Sequence, residues 1–249
     1  MGGIHPWPID NLPDGTLDLG EVEAAIRLED IHFPRTQLIC IENSANICGG
    51  IPLTPKYIAS LIALAGKHGV PAHVDGARIF NSAVAQGVDV KDLTKGASSL
   101  MFCLSKGLGC PVGSMLCGSK AFIYEARHIR KMLGGQMRQA GIVAAAGIVA
   151  MEQMIDRLAD DHRNIRIFAE GLKGIKGLML KPDVPQTNMV YFKIPWDRVS
   201  VQELETRLND AGARVLRMGD WLRAVTHYGI EEEDVKTAAA IIWQVIESL

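Results

Sequence analysis

The chain has 249 residues and a mass of 27.1 kDa, with 48% apolar residues, 22% charged residues and a net charge of -2. A protein of this size buries roughly 70% of the surface its unfolded chain exposes, enough for one large core or two unequal ones. The composition excludes a disordered chain, a collagen-like repeat and a disulfide scaffold. With 26 basic against 28 acidic residues, there is no global field for gripping nucleic acid or an anionic membrane surface. The five cysteines, at 40, 48, 103, 110 and 117, form no Cys-x-x-Cys pair. Four of them lie in apolar or Gly-rich runs and read as reduced, partly buried thiols of a cytoplasmic protein. Met1-Gly2-Gly3 opens without a charged or apolar targeting region, and Pro6 spoils a myristoylation pattern. The most apolar run, Ala140 to Met151, is followed by Glu152. It is too short to cross a bilayer and reads as an Ala-rich core helix.

In chain order, residues 16 to 135 alternate strand-like and helical patterns. Thr36 to Ile41 reads as a buried strand that ends at the polar Glu42-Asn43-Ser44. Thr54 is placed to cap a helix with Pro55 at its first position. Ile58, Leu61, Ile62 and Ala65 mark one face of that helix, and Gly69 stops it. Val70 to Val74 is the next strand, ending at Asp75-Gly76, and Leu100 to Leu104 is a third, ending at Ser105-Lys106-Gly107. This βαβ alternation predicts a largely parallel sheet with helices on both faces, to which Val112 to Cys117 adds a further strand. Residues 119 to 170 read as helical throughout. Strands at Asn188 to Ile194 and Leu222 to Thr226, with helices at Val201 to Ala211 and Glu232 to Ser248, predict a small C-terminal α+β domain. The expected division is 1–165 for the large α/β domain and 166–249 for the small one.

In open α/β sheets, ligands sit outside the carboxyl ends of the strands. Three such ends carry polar residues here: Glu42-Asn43, Asp75-Gly76-Ala77-Arg78 and Ser105-Lys106-Gly107. A lysine and an acid at neighbouring strand ends suit pyridoxal phosphate (PLP): the amine forms a Schiff base and the carboxylate keeps the pyridine nitrogen protonated. From the pattern alone, this reading and that of an ordinary surface lysine beside a loop aspartate both stand. Glycines 107, 109 and 113 follow the lysine and shape its turn. His73-x-Asp75 and the scattered histidines make no metal-ligand set, so no metal is expected, and no Gly-x-Gly-x-x-Gly or Walker pattern occurs.

Three blocks carry a family resemblance: His73-Val74-Asp75-Gly76-Ala77-Arg78-Ile79-Phe80-Asn81, then Cys103 to Ser114, then Arg130 to Gln139. Together with their spacing they closely resemble the low-specificity L-threonine aldolases, fold-type-I PLP enzymes of the β-eliminating-lyase superfamily. The resemblance runs from about Gly15 to the C-terminus. It implies a PLP-dependent transferase-like large domain and cleavage of L-threonine, L-allo-threonine or related β-hydroxy-α-amino acids to glycine and an aldehyde. By the same resemblance Lys106 is the Schiff-base lysine and Asp75 the partner of the pyridine nitrogen. Arg78 and Arg223 are the arginines that bind the substrate carboxylate, for which paired guanidinium forks supply both orientation and charge. His32 matches a histidine near the substrate hydroxyl, where imidazole titrates in a range suited to taking its proton; a strand-flanking histidine beside Phe33 is the other reading. His73 is a neighbour of the cofactor. Lys131 and Arg138 resemble residues that anchor the cofactor phosphate or shape its pocket, across a subunit interface or within one chain; a cluster of helix-end charges is the plainer reading. The expected partners are a small amino-acid substrate and further copies of the chain, as a homodimer or homotetramer, with neither nucleic acid nor membrane.

Two departures accompany the resemblance. Glu42-Asn43-Ser44-Ala45 stands where the family typically has Glu-Asn-Thr-His. The family also has a segment ahead of the position matching Met1, bearing a phosphate-binding Gly/Thr turn and a histidine that stacks on the PLP ring. The expectation is therefore that these 249 residues by themselves hold PLP weakly. The alternative reading is a truncated, weakly active or inactive relative that keeps the fold core and oligomerises.

Overall fold

Two four-stranded sheets, each with its own hydrophobic cluster, organise the computed structural model, which describes residues 2–27, 29–194 and 199–249. In the first sheet β1 (Ile39–Glu42), β2 (Ala72–Asp75) and β3 (Ser99–Cys103) run parallel, and β4 (Ser114–Gly118) returns antiparallel along β3. The reversal is a matter of chain length: a parallel crossover needs about a dozen residues or more, and the connection 104–113 is shorter. Side chains alternate between faces along each strand. Ile39, Ile41, Ala72, Val74 and Phe102 thus share one face and are buried. The opposite face carries Cys40, Glu42, His73, Asp75, Met101 and Cys103, none of them buried, together with the buried Ser99.

Helices cover the first of these faces. α1 (Leu19–Ala25) precedes the sheet. α2 (Pro55–Lys67) begins as predicted, with Thr54 Oγ1 accepting the Tyr57 N–H at 3.2 Å and Pro55 in the first turn, and it buries Ile58, Leu61 and Ala65. α3 (Ile79–Gln86) adds Ile79, Phe80 and Ala83 to the same core. The stretch expected to be helical throughout is three helices: α4 (Lys120–Met132), α5 (Gly141–Gln153) and α6 (Leu158–Gly171). The first break holds Gly134 and Gln139 at positive φ, 78° and 50°, a backbone state that no α-helix contains.

Residues 140–151, expected to form a core helix, lie instead at the surface. α5 is apolar around its whole circumference, yet only Gly147 and Ala150 are buried, while Ile142 is 83% exposed and Ile148 60%. No residue of α4 or β4 is buried either. The expectation of partly buried thiols holds for Cys48, Cys103 and Cys110 and fails for Cys40 and Cys117, which sit exposed on β1 and on the edge strand β4.

The second sheet has the order β5-β6-β8-β7, all antiparallel, from β5 (Met179–Lys181), β6 (Met189–Lys193), β7 (Leu216–Met218) and β8 (Trp221–Val225). Val190, Phe192 and Leu222 pack against Leu204 and Leu208 of α7 (Val201–Asp210) and Val235, Ala239 and Ile242 of α8 (Glu232–Glu247). α6 belongs to both halves: Leu158 sits in the first core, and Ile165, Phe168 and the following Leu172 in the second. Between these apolar ends lies a belt of polar contacts. His162 Nε2 meets Asn81 Oδ1 at 2.9 Å, Arg157 pairs with the fully buried Asp161 at 2.5 Å, and Thr226 Oγ1 donates to the Asp161 carbonyl at 2.7 Å. Asn164 Nδ2 reaches the Ile230 carbonyl at 2.8 Å.

Burial, and secondarily the charge of Arg166, lowers the His162 pKa from 6.5 to about 4. The folded protein therefore favours neutral His162. That contribution is complete above pH 6.5 and is lost as the pH falls through about 4. Its full size is on the order of 3 kcal/mol. Urea unfolding at about pH 7 and about pH 4 should show the difference in stability between the two conditions shrinking by that order in His162→Gln, which has no ring to protonate.

Candidate active site

Because β1, β2 and β3 pair in parallel with Glu42 opposite Asp75 and Asp75 opposite Met101, their carboxyl ends open on one edge of the sheet. The chain leaves that edge through three loops, each bearing charge. Glu42 is half-buried and accepts the Asn46 backbone N–H at 2.9 Å. Burial raises its pKa, the Asn46 N–H opposes that, and the Asp75 charge adds to it, with Arg78 and Lys106 close enough to pull the other way. Asp75 Oδ1 accepts the Ala77 N–H at 3.0 Å; its other oxygen has no hydrogen-bond partner among the described residues.

Arg78 sits immediately ahead of α3, partly buried. Desolvation, followed by the neighbouring Arg223 charge, lowers its pKa. Lys106 stands exposed at the tip of the loop after β3. That loop folds back on itself, with Gly109 N–H donating to the Lys106 carbonyl at 2.9 Å and Leu104 N–H to that of Gly113 at 3.0 Å. Gly107 lets it lie flat on the helices beneath, since a Cβ there would come within 2.8 Å of the Leu158 side chain.

The second sheet supplies the opposite wall. Arg223, on β8, donates from Nη1 to Asn46 Oδ1 at 3.1 Å, while its buried Nε has no partner among the described residues. Tyr191, its cross-strand neighbour on β6, also has a buried and unpartnered hydroxyl. The resulting cleft of about 380 Å³ is lined by Arg78, Ser105, Lys106, Gly107 and Gly109 on one side and by Asn188, Val225, His227 and Tyr228 on the other. Arg78 lines this cleft, and Arg223 lies close enough for its charge to act on Arg78 and carries a desolvated donor, which makes the neighbourhood a place for an anion.

The residues singled out in the sequence separate into two groups. Asp75, Arg78, Lys106 and Arg223 converge on the strand-end edge, and His73 lies on the same sheet face as Asp75, its Nδ1 2.8 Å from Ser99 Oγ and its pKa lowered by burial. His32 is exposed on the segment before β1; its backbone N–H donates to Asp30 Oδ1 at 2.7 Å, and no hydrogen bond or ion pair joins its ring to the cleft among the described residues. Lys131, in the last turn of α4, and Arg138, between α4 and α5, are exposed and do not line the cleft. At the departure from the family pattern, Ala45 packs with Cys48 and Ile51, and the Ser44 hydroxyl is buried without a partner among the described residues. Asn46, Asn188, His227 and Tyr228 went unassigned in the sequence. Asn46 could not have been found there, because 177 residues separate it from Arg223.

Comparison with known proteins identifies the family. Residues 1–195 match the family model described as beta-eliminating lyase, whose members work with PLP. The chain is 43% identical over its whole length to a protein named probable low-specificity L-threonine aldolase 2 from Arabidopsis thaliana, of which it covers 71%. It is 38% identical over 96% of its length to the low specificity L-threonine aldolase of Escherichia coli, covering 69% of that protein. Among solved structures, the threonine aldolase of Leishmania major superposes with a TM-score of 0.74 at 18% identity, over 94% of this chain and 69% of that one. Matched along more than three quarters of its length and carrying a lysine and an acid on neighbouring parallel strand ends, the chain belongs to the beta-eliminating lyase family.

Proposed function

We propose that the protein is a PLP-dependent aldolase that splits L-threonine, L-allo-threonine and related β-hydroxy-α-amino acids into glycine and an aldehyde. The observation that carries this reading is the convergence at one strand-end edge of Asp75, which ends β2, with Arg78 and Lys106, which line the cleft, and of Arg223 from the second sheet, close enough for its charge to act on Arg78. The donor set fits the cofactor. Lys106 presents an exposed amine, Asp75 has one oxygen left free by Ala77, and Arg223 keeps an unpartnered buried donor for a bound anion. PLP, when bound, supplies an electron-accepting ring that stabilises the charge left on the substrate Cα when its bond to Cβ breaks.

The work of this chain's residues follows from their places. Lys106 is the residue that would hold PLP covalently. Asp75 would keep a proton on the pyridine nitrogen, with the oxygen that Ala77 leaves free available for that task. Arg78 and Arg223 would bind the substrate carboxylate, which relieves their mutual repulsion and fixes the orientation of the substrate. His32 is assigned the hydroxyl proton on the family resemblance, and Lys131 and Arg138 the cofactor phosphate on the same ground. The five free thiols support a cytoplasmic setting, and no helix among the described residues is long and apolar enough to cross a membrane.

Two measurements test the assignment of the lysine and the acid. Borohydride reduction of PLP-loaded protein followed by peptide mapping should place the pyridoxyl group on Lys106, and Lys106→Ala should carry none there or elsewhere. Asp75→Ala should still take the cofactor covalently but lose turnover by about a thousandfold, the scale of removing a preorganised electrostatic group; near-normal turnover would refute the role.

Self-association is part of the same proposal. Phe122, Ile129, Met132, Leu133, Met137 and Ile142 are all exposed along α4, the following connection and α5, and this concentration of exposed apolar side chains supports an interaction surface there. Lys131 and Arg138 lie on it, where a second copy would bring them towards a neighbouring cleft. Sedimentation velocity should show a dimer or larger, and Ile129→Lys with Met132→Lys should shift it towards monomer.

A further inference from the structure

Arg223 has no carboxylate partner among the described residues. Among the described residues its side chain makes one hydrogen bond, to a neutral amide, Asn46 Oδ1, at 3.1 Å. Across the cleft, the like charge of Arg78 pushes against it. A long, flexible side chain in that position needs something to hold it forward. An aspartate would do so by neutralising the charge and would then compete with any incoming carboxylate. An asparagine holds the guanidinium and leaves its charge intact.

Asn46 is itself tightly fixed. Its backbone N–H is tied to Glu42 Oε2 at 2.9 Å, at the strand end beside Asp75. The loop it stands on is closed by Ala45 N–H to the Ile51 carbonyl and Gly50 N–H to the Ala45 carbonyl, each 2.9 Å. On its other side the loop is pressed against the second sheet, with Thr187 Oγ1 donating to the Gly50 carbonyl at 2.7 Å. Gly49 sits against Pro182, so close that a Cβ there would lie 2.7 Å from the Lys181 carbonyl oxygen.

We infer that Asn46 is a positioning residue for carboxylate recognition: its side-chain carbonyl holds the Arg223 guanidinium at the cleft without neutralising it. The inference rests on the proposed aldolase reading and adds to it a residue that touches neither substrate nor cofactor. The test uses the PLP-loaded protein, unaltered and as Asn46→Ala and Asn46→Asp. Equilibrium binding of glycine and of ethylamine, an amine of similar size without a carboxylate, is read from the visible absorbance of the cofactor. Asn46→Ala should weaken glycine about tenfold, the worth of one hydrogen bond to a charged group, and leave ethylamine unchanged. The KM for L-threonine should rise with kcat held within about twofold. Asn46→Asp, which keeps the size of the side chain, should weaken glycine further because it neutralises Arg223. Equal weakening of glycine and ethylamine would make the role merely structural and overturn the inference, as would glycine binding that is unchanged in Asn46→Ala or undiminished in Asn46→Asp. An unaltered protein that binds the two amines alike would instead refute the carboxylate-binding role of Arg78 and Arg223, and the inference with it.

Discussion

In-register parallel pairing of three short strands is the constraint from which the site follows. A parallel ladder brings the carboxyl ends of its strands to one edge, and the pairing of Glu42 with Asp75 and of Asp75 with Met101 puts the loops that follow side by side. A slip of one residue in β2 would turn Asp75 to the helix-covered face and Val74 to the open one. The buried set Ile39, Ile41, Ala72, Val74 and Phe102 is therefore what specifies where the acid points. Packing under one face and chemistry on the other are two results of the same alternation.

The second wall of the cleft depends on α6. Apolar at both ends and polar in the middle, it is shared by the two cores, and its polar belt meets Asn81 on one side and Thr226 and Ile230 on the other. Removing Arg157 would leave the buried Asp161 charge uncompensated, which is more damaging than never having had the pair. Placing these groups in the middle of a shared helix makes the relative position of the two sheets a matter of hydrogen-bond geometry, where apolar packing alone would leave it looser.

Much of this was legible in the sequence, for local reasons. The cap of α2 by Thr54, the polar strand ends and the glycine turn after Lys106 are short-range signals, and the structure reproduces them within a few residues. The direction of β4 was not read from the sequence, in which Val112 to Cys117 stands only as a further strand. The surface position of α5 was not legible either, because apolarity around a whole helix says that something must cover it and does not say what. Nor was the link from Asn46 to Arg223, since no local pattern pairs a loop asparagine with a strand arginine far along the chain. The segment around His32 shows the reverse: its residues resemble the family, yet its place in the fold, exposed and flanked by the exposed Ile31 and Phe33, follows from none of the local signals.

The loop at 43–51 gives the cleft its width in an unusual currency, missing atoms. Gly49 and Gly50 both have positive φ and both lie where a Cβ would strike the second sheet, against Lys181 and Pro182 in one case and Thr187 and Met189 in the other. Together they act as the thinnest possible spacer between the two halves. Any side chain at either place is a shim: it would force the sheets apart and carry Arg223 away from Arg78 without altering a single group in the cleft. The distance between two charges that would grip one small anion is thus set from behind, by residues whose contribution is to occupy no space.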